Sequence, residues 1–254
     1  MNLESLGRAV PGKAASVEVV IPVYNEEDIL EDQLVPVLDS LPPVFSVMVV
    51  ENGSTDNTPD ILRDLARRYG NLEFLSLPDP NYGLAMKKGL INTGSDIVIV
   101  DDLDVLDVDF WERGLRLLGE EGIDLVQGSK VLAGKNDKRP FLRRAATLAL
   151  TFLLKTVLGY DGTDTHGPKI FWRRAMEGIP PACRLELDIF PTELVIRAKR
   201  RGVRIREIPI HLEEIRQTPF PLHRRVPRAL RDIWRLRLAL AKEDSECGQF
   251  QRRD

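Results

Sequence analysis

Ile97-Val98-Ile99-Val100-Asp101-Asp102-Leu103-Asp104 is the stretch on which the fold reading turns. Four consecutive β-branched apolar residues describe a strand buried on both faces, which a parallel sheet covered by helices requires and a half-solvated antiparallel sheet does not. The acidic residues that end it stand where open α/β sheets collect their ligands, beyond the carboxyl ends of the strands. Carboxylates crowded there repel one another unless a cation neutralises them, and a hard divalent ion is the natural partner. Mg²⁺ or Mn²⁺ fits, with Asp102 and Asp104 as ligands. Such ions keep open positions for phosphate oxygens, so the site suggests a bound nucleoside diphosphate. The plainer reading is a solvated acidic loop, since Asp107 and Asp109 make the stretch acidic in any case.

On either side of this strand, short β-branched runs alternate with longer amphipathic segments, the pattern of a parallel sheet with crossover helices. The expected strands cover 17–23, 44–50, 72–77, 97–100, 125–131, 169–172 and 203–210, and the expected helices 27–40, 59–69, 84–93, 110–119, 141–158 and 192–200. Two more polar clusters follow apolar strands: Tyr24-Asn25-Glu26, and the run from Glu51 to Thr58. In the second cluster Gly53 permits a tight turn and Thr58 before Pro59 suits a helix start. Turn chemistry explains half of that run, but not its pairing with the first cluster.

With 43% hydrophobic and 30% charged residues, the 254-residue chain is globular in composition, neither disordered nor a coiled coil. Thirty-six Lys plus Arg against 39 Asp plus Glu give a formal charge of −3, so the whole molecule is no electrostatic trap for nucleic acid. The two cysteines, Cys183 and Cys247, lack metal or disulfide spacing and point to a reducing, cytoplasmic setting. Met1 to Ser16 reads as an N-terminal extension without the apolar core of a secretory signal. No stretch is apolar enough to span a bilayer; the nearest approach, 145–158, is broken by Thr147, Thr151, Lys155 and Thr156.

Pro22-Val23-Tyr24-Asn25-Glu26, the run Glu51-Asn52-Gly53-Ser54-Thr55-Asp56-Asn57-Thr58, and Asp102-Leu103-Asp104 together resemble the nucleotide-sugar half of an inverting family 2 glycosyltransferase. Asn81-Tyr82-Gly83-Leu84-Ala85 and Gly89 fall between them in the same order. The resemblance implies a GT-A, Rossmann-like α/β fold: one domain, a mostly parallel sheet with helices on both faces, and a C-terminal helical extension. Within it, 17–110 would bind the donor and 111–222 the acceptor. It assigns Pro22, Tyr24, Asn25, Glu26, Glu51, Asn52, Gly53, Ser54, Asp56, Gly83, Lys87 and Asp102 to a UDP-, GDP- or dTDP-sugar donor, and Asp102 and Asp104 to the metal. Glu51 and Asn52 stand where the family commonly has two aspartates, so the contact to the base differs.

The second half resembles the branch that makes polyprenyl-phosphate sugars. The matching pieces are Gly128-Ser129-Lys130, Arg143 with Thr147 and Thr151, the loop from Asp164 to Phe171, Glu193-Leu194, and Glu207-Ile208-Pro209-Ile210. The departures are Pro168 in place of an aromatic residue, Leu106 near the metal, and the absence of the branch's C-terminal membrane helices. A lipid phosphate is already an anion, so transfer to it needs positioning and charge neutralisation. Arg139, Arg143 and Arg144 would meet that phosphate with planar forks. A hydroxyl acceptor, the alternative, needs a general base, for which Asp164 leads and Glu193 and Asp188 follow. A third reading is an inactive nucleotide-sugar-binding protein. His166 and the cysteines carry no catalytic signature.

Residues 223–242 interleave Arg224, Arg225, Arg228, Arg231, Arg235 and Arg237 with Leu230, Ile233, Trp234, Leu236 and Leu238. The pattern predicts a basic amphipathic helix, packed on the core or resting on the cytoplasmic face of a membrane as a peripheral element. Residues 243–254 read as a frayed, flexible tail.

Overall fold

The computed structural model describes residues 3–12, 15–134, 141–210 and 222–250, with the backbone alone at 141–143, 222–226 and 246–250. A seven-stranded sheet has the order β3-β2-β1-β4-β6-β5-β7, with β1 Val17–Val23, β2 Phe45–Asn52, β3 Leu72–Leu77, β4 Ile97–Val100, β5 Leu125–Ser129, β6 Lys169–Trp172 and β7 Ile205–Pro209. Only β6 runs against its neighbours, pairing antiparallel with β4 and β5. The chain builds outward from β1 to β3, then returns to lay β4 on β1's other side. The topological switch therefore falls between β1 and β4, the crevice where open sheets bind ligands.

Strand alternation sorts the side chains into two cores. Val19, Ile21, Val47, Val49, Ile97 and Ile99 face one layer, which includes α1 Glu4–Ala9, α2 Leu30–Ser40, α3 Thr58–Arg68 and α5 Val108–Leu118. Val20, Met48, Val50, Val98 and Val100 face the other, with α4 Tyr82–Asn92, α7 Ile179–Ala182 and α8 Phe190–Arg200. A third cluster joins α8 to α6 Phe141–Leu158 and α9 Leu222–Phe250 through Leu154, Val195, Ile196, Ile233, Leu236 and Leu240.

The expected strands and helices form in the expected order, with ends shifted by a few residues. Residues 27–29 are a turn rather than helix, and Glu27 spends its N–H and carboxylate on Asp56 and Asn57 of the loop after β2. Two larger differences concern the termini. The N-terminal extension contains α1, whose buried Leu6 and Ala9 pack on α5. The tail expected to fray continues as helix to Phe250, because Arg197 and Arg200 of α8 pair with Glu243 and Asp244. No described helix is long and apolar enough to cross a membrane.

Candidate active site

The loops after β1 and β2 are sewn together by polar side chains. Asn25 takes a left-handed φ of 52°, which asparagine tolerates better than most residues. Its Oδ1 accepts from the Thr55 N–H at 2.8 Å, and its own N–H donates to Ser54 Oγ at 3.0 Å. The Glu26 N–H donates to Thr58 Oγ1 at 2.8 Å, so this threonine links the loops while Asn57 stands at the helix start. Asp56 accepts from the backbone N–H groups of Glu27 and Thr58. Partial burial pulls its carboxyl up, but the hydrogen bonds from Thr58 and Glu27 outweigh it and hold it below the usual range. Gly53 turns with φ 68° against the backbone of Asp79, which leaves no room for a Cβ. Glu51 and Asn52 are buried and accept from the N–H groups of Ser54 and Asn81. Pro22 lies buried within β1, and Tyr24 is 38% exposed at its end.

At the end of β4 the acidic run divides its labour. Asp101 turns inward and accepts from Trp111 Nε1 at 2.7 Å and from the N–H groups of Asp102 and Asp107. Burial pushes its carboxyl up to about 8 against the pull of the Trp111 bond. It shapes the loop. Asp107 caps α5, accepting from the Phe110 N–H at 2.9 Å. Asp102 and Asp104 are half-buried, and the Tyr82 hydroxyl donates to Asp102 Oδ1 at 2.9 Å. Burial first, then the charges of Asp102, Asp104 and Asp101, hold that phenol well above its ordinary value, so it stays a donor. These neighbours offer oxygen ligands only, which suits a hard divalent cation. Among the described residues no three His, Cys, Asp or Glu side chains converge as a complete cage. Asp102 and Asp104 are the residues that would hold such an ion.

Because β6 is reversed, its first residue, Lys169, lies beside Val100 at this same rim. Lys169 is buried, and its Nζ donates to the carbonyls of Thr165 and Gly167 at 3.0 and 2.8 Å. Burial lowers its ammonium to about 8, opposed by the charges of Asp164, Asp102 and Asp101. His166 joins two loops: Nε2 lies 2.9 Å from the Asp188 carbonyl and Nδ1 3.1 Å from Thr165 Oγ1. Burial lowers its ring below the ordinary histidine range.

Several expected roles change on this geometry. Asp164, the leading base candidate, holds the Lys130 N–H on one oxygen and the His166 N–H on the other, so it braces the loop. Glu193 is fully buried in α8, accepting from the N–H groups of Arg184 and Leu185 and pairing with Arg197 at 2.7 Å, which makes it a structural anchor. Lys87 donates to the Cys183 carbonyl at 2.6 Å, at the end of α7, and is not directed to the strand ends. Gly83 is explained by packing, since a Cβ would strike the backbone of Leu187. Asp188 contributes its backbone carbonyl to His166. Arg143 starts α6, but its side chain lies outside the described residues, as do the basic loop with Arg139 and the side chains of Arg224 and Arg225.

Sequence reasoning missed Tyr82, Trp111 and Glu207. Glu207, on β7, accepts from Tyr160, from the Thr163 N–H and hydroxyl, and from the Asp164 N–H, so it anchors the whole loop. Tyr82 and Glu207 sat in quoted motifs, but nothing in a linear sequence shows which carboxylate a phenol reaches or which loop a carboxylate holds.

Comparison with known proteins gives the family and the fold. The model of a family described as glycosyl transferase family 2 matches residues 18–178. Dolichyl-phosphate beta-glucosyltransferase ALG5D of Trichomonas vaginalis is 27% identical over 217 residues, covering 78% of this chain and 66% of that protein. Glycosyltransferase AglD of Haloferax volcanii is 28% identical over 243 residues, 90% of this chain and 39% of that protein. The chain thus spans less than two thirds of the length of either relative. The glucosyl-3-phosphoglycerate synthase of Mycobacterium tuberculosis, solved with Mn²⁺, uridine diphosphate and glucosyl-3-phosphoglycerate, superposes with a TM-score of 0.66 at 23% identity, covering 94% of this chain and 84% of that one. That likeness establishes the GT-A-like fold. More than half of the chain is matched by the family model, on a sheet whose carboxyl rim gathers the three polar loops, and the protein therefore belongs to glycosyl transferase family 2, on a GT-A-like fold.

Proposed function

We propose that the enzyme moves a sugar from a nucleoside-diphosphate donor to a polyprenyl-phosphate-like lipid acceptor, with inversion and with the help of a divalent cation. The observation that carries the donor half is the Tyr82–Asp102 contact at the β1/β4 switch point, beside the interlocked loops after β1 and β2. The relatives named as dolichyl-phosphate transferases support the acceptor half, and neighbours of this fold solved with Mn²⁺ and uridine diphosphate or GDP-mannose support the metal.

Asp102 and Asp104 would hold Mg²⁺ or Mn²⁺, which when bound supplies positive charge to the departing diphosphate. Tyr82 keeps the Asp102 carboxylate oriented by donating to one of its oxygens. The loops containing Asn25, Glu51, Asn52, Gly53, Ser54 and Asp56 form the rigid wall against which the nucleotide would lie. On the other side Lys130 and Lys169 bring positive charge toward a phosphate acceptor, and Arg143 and Arg144 at the start of α6 are the candidates for its oxygens. A phosphate nucleophile requires no proton removal. That agrees with a loop in which Asp164 already holds two backbone N–H groups. A hydroxyl acceptor would need a base at this place.

The test is transfer from a panel of UDP-, GDP- and dTDP-sugars to a short, water-soluble prenyl phosphate, with and without Mn²⁺ or Mg²⁺. Asp102→Asn and Asp104→Asn should each lower turnover at least about 100-fold, with the fold intact by circular dichroism. Full activity in a chelator, or in both variants, would refute the metal role. Transfer to hydroxyl acceptors but to no prenyl phosphate would refute the lipid one.

A further inference from the structure

We infer that α6 and α9 together form a docking face for an anionic lipid bilayer, set beside the acceptor loop. The acceptor side of this inference rests on the function proposed above; the surface itself rests on exposure and charge. Across the third core cluster the two helices pack on each other. Away from it, α6 exposes Leu148 at 57% and Phe152 at 68%, while α9 exposes Leu230 at 43%, Trp234 at 59% and Leu238 at 68%. The spacings are i, i+4 on α6 and i, i+4, i+8 on α9, so each set is a stripe along one helix face. Isolated exposed apolar residues are ordinary; five in two stripes on adjoining helices call for an occupant.

Charge identifies it. Arg228, Arg231, Arg235 and Arg237 are exposed around the α9 stripe, against the single acidic Asp232, in a chain whose formal charge is −3. Asp232 is itself largely buried and lies 3.6 and 3.5 Å from Arg231 and Arg235. An apolar stripe with tryptophan, edged by arginines, matches the boundary between acyl chains and anionic headgroups, where the rings enter and the guanidinium groups reach phosphate. On α6, Thr151 Oγ1 donates to the Thr163 carbonyl at 3.1 Å, one residue from Phe152. The turn that would rest on lipid thus also touches the loop that faces the acceptor.

The experiment sediments the full chain with vesicles of phosphatidylcholine alone and of phosphatidylcholine mixed with phosphatidylglycerol, at low and high salt. The wild type should partition onto the anionic vesicles, less so at high salt. Trp234→Glu with Phe152→Glu should abolish partition, and Arg228→Gln with Arg237→Gln should weaken it by about fivefold per arginine. These variants should keep wild-type transfer to the short prenyl phosphate, which also shows that they fold, and lose transfer to a long-chain acceptor embedded in vesicles. Wild type that ignores anionic vesicles, or Trp234→Glu with Phe152→Glu binding as well as wild type, overturns the proposal. So does sedimentation velocity showing a dimer that this variant dissociates, since a second copy would then own the face. Vesicle binding that disappears in the variants while no prenyl phosphate is ever used upholds the docking face and overturns the acceptor reading instead.

Discussion

Tyr82 holds Asp102 through one hydroxyl, and that hydroxyl can be removed without disturbing the ring's packing. Tyr82→Phe should leave the melting temperature near wild type and weaken the divalent ion, read as a rise in the Mn²⁺ concentration for half-maximal activity, by about fivefold, the worth of roughly 1 kcal/mol for a hydrogen bond. An unchanged Mn²⁺ response would mean that the phenol does not orient the carboxylate. Cys183 tells a different story. Burial first, and then the charge of Glu193, push its thiol up to about 12. In the native protein iodoacetamide at mildly alkaline pH should leave the peptide containing Cys183 unmodified, and denaturation should expose it. Rapid native labelling would contradict its burial. Asp102 and Asp104 were readable as ligand candidates because carboxylates at a strand end are chemically conspicuous. That Asp101 instead turns inward to Trp111 was not, since adjacent residues carry no sign of which one faces the core.

Among the elements, α9 owes its long course to ion pairs with α8. Arg197 reaches Glu193 within its own helix and Glu243 on α9 at 2.7 Å, and Arg200 pairs with Asp244. The hydrogen bond from Arg197, opposed by partial burial and helped by its charge, holds the Glu243 carboxyl below its ordinary value of 4.5. A carboxyl lowered on folding adds stability above its unfolded value, and that stability is lost as pH falls through the lowered value. The urea midpoint should therefore decline from neutral pH into acid. In Glu243→Gln it should start lower and decline less; an identical slope would show that the pair does not couple α9 to the domain. This helix length was illegible because polar composition suggested fraying, while the stabilising partners lie more than 40 residues away in sequence. The strands 72–77, 97–100 and 169–172, by contrast, were legible to their ends, because short apolar runs, β-branched throughout at 97–100 and rich in Leu and aromatic residues at 72–77 and 169–172, stand between polar or turn residues.

For the molecule as a whole, the two-layered core follows from period-two sorting of Val and Ile, and the α/β architecture could be anticipated because strand-like and helix-like segments alternate along the chain. The loops of the proposed donor rim stood out as candidates because each follows an apolar strand. The proposed acceptor side stood out less, because its residues come from a loop, a reversed strand, α6 and α8, and their meeting depends on tertiary contacts such as Glu207 with Thr163. The proposed transfer and bilayer docking belong to this scale, since each needs both sides of the rim assembled.

The reversal of β6 carries a consequence for how such a protein can change. A strand laid head to tail against its neighbours presents its entrance, rather than its exit, to the working edge of the sheet. Residues 159–168 therefore approach that edge from the opposite direction to the loops after β1, β2 and β4. Lengthening or rewriting this approach would remodel the rim from one side alone, leaving the interlocked loops after β1 and β2 as they are.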